Sequence, residues 1–257
     1  MQRPPGTDDH DEPDPPCNFT VAQLRHFDGR EETVGKKTPR TVQREIYLSV
    51  NGIVFNASEG RKEFGPGGPF EVYAGRECGT ALAKGSVEES DLADGCRVQS
   101  LTDEERSEME GWIGKFSGLP WDYPVLGRLV RDDAIPPSDG IVSRDELALR
   151  DGSSREGVSL PEGYASLPIY ICASGKVYDV SFGGVTFYGP GGPYGCFAGK
   201  DASRALAKMS LDPADTDDTS VENLTEKERK VLADWIKTYE RKGYPCVGRL
   251  EEKADTR

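Results

Sequence analysis

Apolar and polar positions alternate along Ile46-Tyr47-Leu48-Ser49-Val50 and resume in Ile53-Val54-Phe55, with Asn51-Gly52 between them. Two β-prone runs across an Asn-Gly pair predict a hairpin closed by a two-residue turn. The pattern returns as Ile169-Tyr170-Ile171, Ser174-Gly175 and Val177-Tyr178. A helical period follows each hairpin at a distance. Met109, Trp112, Ile113 and Phe116, and then Leu232, Trp235, Ile236 and Tyr239, are spaced to line one face of a helix. Capping boxes precede both stripes, Thr102-x-x-Glu105 and Thr225-x-x-Glu228, and the stripes are read as core. A short helix is predicted at the start of each pattern, with a third capping box at Ser143-x-x-Glu146.

The recurrence is a true internal repeat. Phe64-Gly65-Pro66-Gly67-Gly68-Pro69-Phe70 reappears as Tyr188-Gly189-Pro190-Gly191-Gly192-Pro193-Tyr194, and 11 of the 21 positions up to Lys84 and Lys208 are identical. A loop so dense in Gly and Pro cannot be regular structure. A helix is predicted around Ala81-Leu82-Ala83-Lys84 and its copy Ala205-Leu206-Ala207-Lys208. Gly127-Arg128-Leu129 returns as Gly248-Arg249-Leu250. The expected organisation is a disordered acidic tail at 1–19, a first domain at 20–129, a linker at 130–142, a second domain at 143–250 and a tail at 251–257. Each unit reads as a small α+β domain.

Composition removes several functions. Forty-five acidic against 32 basic residues leave a net charge of −13 with no basic stripe, so nucleic acid is not an expected partner. No apolar run reaches the 18 or so residues of a membrane helix, and no signal peptide is legible. Two histidines, His10 and His26, leave little material for zinc hydrolysis, a Ser-His-Asp triad or bis-histidine haem. No nucleophile is paired with a base, so no enzyme is expected, and Asp215-Thr216-Asp217-Asp218 reads as solvated loop. The six cysteines form no C-x-x-C pair, and none is shared between the copies, which favours mostly free thiols and a reducing compartment. Sequons at Asn18, Asn56 and Asn223 point the other way, towards the secretory pathway.

The hairpin ending Val-Phe-Asn or Val-Tyr-Asp, the Gly-Pro-Gly-Gly-Pro loop and the following Ala-Gly-Arg/Lys-Glu/Asp resemble the membrane-associated progesterone receptor family, a branch of the cytochrome b5-like fold. The stretch Phe187–Arg204 is close to that family's signature, and the resemblance covers both units. It implies two tandem cytochrome b5-like domains, each a small sheet with short helices around a ligand loop. It also implies one haem, in the second domain, with the Tyr194 phenolate as iron ligand. Tyr188 is implied as a hydrogen-bonding neighbour, and Lys242 and Tyr244 as residues holding the haem edge. Tyrosine is an established ligand of haem iron, and a hard anion favours the ferric state.

The first copy departs at the atoms that matter. Phe64 and Phe70 replace Tyr188 and Tyr194, Trp121 stands opposite Lys242, and Tyr73 stands opposite Phe197 but three residues beyond the ligand position. The first domain therefore reads as a degenerate haem site, a scaffold for an apolar ligand or a partner surface. The family further implies an accessory role beside haem-thiolate monooxygenases or other endomembrane proteins in sterol or steroid metabolism, with dimerisation through an exposed haem face. The expected location is the cytoplasm or the cytosolic face of endomembranes. A haem-free adaptor or steroid-binding protein is the competing expectation, and electron transfer is disfavoured by the missing histidine ligands.

Overall fold

The computed structural model describes residues 16–35, 38–92 and 101–252; His10, the run Asp8–Glu12, Cys96 and residues 253–257 lie outside them. The first half runs β1 (Cys17–Phe19), α1 (Val21–Arg25), β2 (Glu31–Val34), β3 (Arg40–Gln43), β4 (Tyr47–Val50), β5 (Ile53–Asn56), α2 (Arg61–Phe64), α3 (Gly79–Lys84), α4 (Asp103–Phe116) and β6 (Val125–Leu129). The second runs β7 (Ile141–Val142), α5 (Arg144–Leu149), β8 (Tyr170–Ala173), β9 (Lys176–Asp179), α6 (Val185–Tyr188), β10 (Lys200–Asp201), α7 (Ser203–Lys208), α8 (Pro213–Asp217), α9 (Glu226–Arg241) and β11 (Cys246–Leu250). The chain is α+β throughout.

The two sheets share one plan. Their strand orders are β1-β6-β5-β4 and β7-β11-β9-β8-β10, with the terminal pairs β1·β6 and β7·β11 parallel and the hairpins antiparallel. Where β10 lies beside β8, the first half has a single parallel bridge between Ser49 and Glu77. The hairpin turns form as the sequence dictates. Asn51 and Gly52, like Ser174 and Gly175, all take positive φ, matching the turn's twist to that of the strands. Gly127 and Gly248 sit at bulges in β6 and β11 with φ of 152° and 146°, and a Cβ on Gly127 would fall 1.8 Å from the Cys17 carbonyl oxygen. Only glycine lets β1 approach there.

The capping boxes on α4 and α9 are complete. Ser143 accepts from the Glu146 N–H, but the Glu146 carboxylate pairs with Arg150 instead of returning to the cap, so the third expected box is half formed. A complete box appears at Thr20 and Gln23. Met109 and Phe116 are buried on α4, as are Leu232 and Tyr239 on α9, with Trp112, Ile113, Trp235 and Ile236 partly buried beside them.

Three expectations shift. Cys17–Phe19 belong to a strand rather than to a tail, and Asn18 is fully buried, which closes its sequon to modification in the folded chain. The stretch 130–142 is not a slack linker: Val130 is buried in the second half's core, and Ile141 and Val142 pair with β11. Asp215–Asp217 end helix α8, and their carboxylates pair with Lys208, Arg204 and Lys200. Among the described residues no His/Cys/Asp/Glu cluster suits a metal ion. Cys78, Cys172, Cys196 and Cys246 carry free thiols.

The two halves are joined by more than the connecting chain. Asn18 donates from Nδ2 to Ser181 Oγ (2.8 Å) and the Ser166 carbonyl (3.2 Å), and its Oδ1 accepts from the Ala165 N–H (2.7 Å). Gln23 donates from Nε2 to the carbonyls of Phe182 (2.8 Å) and Lys242 (2.9 Å). A groove of about 630 Å³ lies along this junction, walled by Phe19, Phe27, Phe182 and Tyr244.

Candidate functional site

The Gly/Pro loop of the second half begins where α6 stops at Tyr188 and is stiffened by its own backbone. The Tyr194 N–H donates to the Phe187 carbonyl (2.9 Å) and the Gly192 N–H to that of Gly189 (2.9 Å). Tyr188 and Tyr194 are thereby brought together, ring centroids 5.8 Å apart and planes tilted by 35°. Tyr188 is 6% exposed; Tyr194 is half-buried.

Tyr244, carried in by the turn after α9, meets Tyr188 edge to face at 6.4 Å. Tyr239 stands between them, 6.1 Å from Tyr188 and 5.7 Å from Tyr244, and Trp235 one turn earlier meets Tyr194 edge-on at 6.4 Å. Phe197 stacks on Tyr194, 6.1 Å away with its ring nearly parallel. Three of the four expected site residues, Tyr188, Tyr194 and Tyr244, thus share one aromatic cluster. Lys242 is exposed outside it, with Nζ 5.8 Å over the Phe187 ring and its carbonyl turned to Gln23.

Burial governs the electrostatics of this cluster. It pushes the Tyr188 phenol up to about 12, with the nearby Tyr239 hydroxyl pulling back and Tyr194 pushing further. Burial likewise raises Tyr239 and Tyr244, with Tyr188 adding to each. All three remain neutral phenols at physiological pH, each with a proton to donate. The Tyr239 hydroxyl and Trp235 Nε1–H are buried polar groups that complete no hydrogen bond of ordinary geometry, although Tyr188 lies close enough to perturb Tyr239. Unsatisfied buried donors are uncommon and mark a place where a polar partner fits.

The first half builds the same frame without the hydroxyls of Tyr188, Tyr194 and Tyr239, keeping only that of Tyr123. Phe64 and Phe70 stand 5.9 Å apart at the same 35° tilt. Phe64 meets Tyr123 at 6.4 Å and Phe116 at 5.9 Å, as Tyr188 meets Tyr244 and Tyr239. Tyr73 stacks on Phe70 but donates its hydroxyl to the Ser86 carbonyl (2.8 Å), away from the loop. Trp121 lies on Trp112, 5.9 Å away and tilted by 14°, and on Tyr123 at 6.2 Å, forming an aromatic stack where the second half has the cationic Lys242.

Trp235 and Tyr239 pack in the core and also border the candidate site, a contact that the sequence presents only as a helical core stripe. Their offset of four places both on the face towards Tyr194 and Tyr188, but nothing in that spacing separates a site-facing aromatic from a packing one. Phe187, 39% exposed, is carried to the site edge by its place beside Tyr188.

Residues 161–251 match the family described as "Cytochrome b5-like Heme/Steroid binding domain". The chain is 54% identical over 85 residues to "Probable steroid-binding protein 3" of Arabidopsis thaliana, covering 33% of this chain and 82% of that protein. It is 41% identical over 95 residues to "Cytochrome P450 regulator dap1" of Schizosaccharomyces pombe, covering 35% of this chain and 56% of the other. It is 42% identical over 142 residues to "Membrane-associated progesterone receptor component 2" of Rattus norvegicus, covering 54% and 56%. A solved Arabidopsis thaliana protein with a cytochrome b5 like fold shares 42% identity over 45% of this chain and 94% of its own, with a TM-score of 0.37. The match to two membrane steroid-binding proteins, of Oryza sativa and Arabidopsis thaliana, spans 39% and 48% of their lengths. The names of these relatives are those of binding and regulatory proteins rather than enzymes. Among the described residues no helix is long and apolar enough to cross a membrane. The chain belongs to the family of cytochrome b5-like haem/steroid-binding proteins that includes the membrane steroid-binding proteins and membrane-associated progesterone receptor components, and its C-terminal half carries the family's domain.

Proposed function

We propose that the chain is a haem-binding accessory protein of two tandem cytochrome b5-like units, with one ferric haem held on the second through Tyr194. The observation that carries this reading is the paired aromatic frame: one geometry occurs twice, with phenols at 188, 194 and 239 in the second half and phenyl rings at 64, 70 and 116 in the first. The residues present fit the group. A half-buried phenol borders unsatisfied buried donors in an aromatic wall suited to a flat macrocycle. When bound, ferric haem supplies a Lewis-acidic iron whose charge displaces the proton of its phenol ligand. Tyr188 is the neutral donor beside Tyr194, Tyr244 and Trp235 complete the wall, and Lys242 offers a cation for an anionic edge.

A role beside haem-thiolate monooxygenases at the cytosolic face of endomembranes, with pairing of two copies through exposed haem faces, follows the same reading. It is supported by the name of the fission-yeast relative, a cytochrome P450 regulator, and by relatives named as membrane proteins. The second reading, a haem-free binder of steroids, is favoured by the relatives named as steroid-binding proteins.

The deciding experiment is a visible absorption titration of the chain with ferric haem, run beside Tyr194→Phe. Saturation at one equivalent with a high-spin tyrosinate spectrum, lost in the variant, supports the haem reading. Equal uptake by both proteins overturns the assignment of Tyr194, and uptake by neither overturns the haem reading in favour of the steroid-binding one.

A further inference from the structure

Gln23 belongs to the first half, yet every bond made by its amide nitrogen goes to the second. Nε2 bridges the carbonyls of Phe182 and Lys242, the residue before the α6 segment's approach and the residue that caps α9. Both protons of that amide are therefore used. The other end of the side chain is also fixed, because Oε1 accepts from the Thr20 N–H at 3.0 Å in the α1 capping box. The next residue after Lys242 is Gly243, at φ +71°, and a Cβ there would lie 3.0 Å from Gln23 Cγ, so the Gln23 stem rests directly on the turn that delivers Tyr244. Tyr244 in turn stands against Tyr188 and Tyr239. Asn18 and Val130 lock the same junction at its other side.

From this chain of contacts we infer that Gln23 is a positioning residue for the second half's site: by tying the 182 and 242 carbonyls together it sets the turn that holds Tyr244 against Tyr188 and Tyr239, and so makes the first half part of the site without contributing a ligand. This inference rests on the assignment of the site to the second half. It gives the degenerate half a function that its missing hydroxyls do not: the scaffold holds a strut. The kind of ligand is not altered; what the strut sets is the order of the wall the ligand meets.

The test compares the full chain with Gln23→Ala, Thr20→Ala and Tyr194→Phe. Thr20→Ala removes the α1 cap hydroxyl but leaves the Gln23 amide bridge, so it reports loosening of α1 alone. Two readouts are used: ferric-haem affinity by absorption titration, and hydrogen exchange of the ligand-free chain, with the Tyr244 amide, bonded to the Tyr239 carbonyl at 3.1 Å, as the reporter. Gln23→Ala should weaken haem binding about tenfold, the conversion of roughly 1.4 kcal/mol for a lost bridge. It should also speed exchange across residues 242–246 at least tenfold while leaving α4 unchanged; Thr20→Ala should do neither. Wild-type exchange at Tyr244 in Gln23→Ala, or equal losses in Thr20→Ala, overturns the inference. If Tyr194→Phe binds haem as the wild type does, the site assignment has failed, and the exchange readout still decides whether Gln23 orders the turn.

Discussion

Asp179 is a carboxylate enclosed by the protein on every side. Its Oδ1 accepts from the Ser181 hydroxyl at 2.6 Å and from the N–H groups of Ser181 and Ile169, whereas its buried Oδ2 has no partner. Burial raises its pKa to about 6, against the pull of those hydrogen bonds and of Arg150; Tyr164 and Tyr170 also face it. The folded chain therefore keeps this proton to higher pH than the unfolded chain. The stability it contributes is complete below about pH 4 and is lost as pH rises through about 6, on the order of 3 kcal/mol for the whole shift. The first half has Asn56 at the matching position. Asp179→Asn should flatten the dependence of the urea midpoint on pH between about 4 and 6 and stabilise the chain at neutral pH by roughly 1–3 kcal/mol. A second residue-scale outcome concerns Phe70, which is 38% exposed in the loop position equivalent to Tyr194. Phe70→Tyr restores one phenol at little folding cost, and haem titration should then show a second, weaker equivalent.

Among the short elements, α3 and α7 are the same helix with different ends. Gly85 closes α3 at φ +61°, and Met209 closes α7 at φ +53°. A left-handed Met carries a steric penalty that Gly avoids, and Met209 is 60% exposed, so little packing offsets it. Met209→Gly should stabilise by about 1 kcal/mol, a rise in Tm of roughly 2–4 °C by calorimetry. Gly127→Ala should act in the opposite direction by at least about 2 kcal/mol, because its Cβ collides with the β1 backbone. The hairpins, the helical stripes and the Gly/Pro loops were all legible in the sequence because each has a local signature: a turn dipeptide, a period, a density of Gly and Pro. Strands β1 and β7 were not, since three and two residues paired in parallel to a distant strand show no alternation. The aromatic cluster was half legible. Tyr188, Tyr194 and Tyr244 could be carried over from the loop and turn motifs. Trp235 and Tyr239 were read as core, and they are packed in it; that their face also meets Tyr194 and Tyr188 is not recorded in the helical spacing. Gln23 was silent, its role depending on a contact with residue 242 that no local pattern encodes.

For the whole molecule the junction decides whether two homologous-looking halves behave as one. Asn18 is fully buried and makes its side-chain bonds to Ala165, Ser166 and Ser181 in the other half. Asn18→Ala would leave several of those groups unpaired, at a cost of roughly 2–4 kcal/mol. The expected outcome is a calorimetric trace that changes from one transition to two, as each half then melts on its own core. The same junction imposes an order on synthesis. Gln23 and its partner at Lys242 are 219 residues apart, so at about 5–20 residues per second a ribosome delivers the partner some 10–40 s after Gln23 itself. Through that interval the Phe19 and Phe27 side of the groove stands without the Phe182 and Tyr244 wall opposite it. The first half is thus made with one wall of that groove, and with the Asn18 and Gln23 amides waiting for their partners, until the second half emerges.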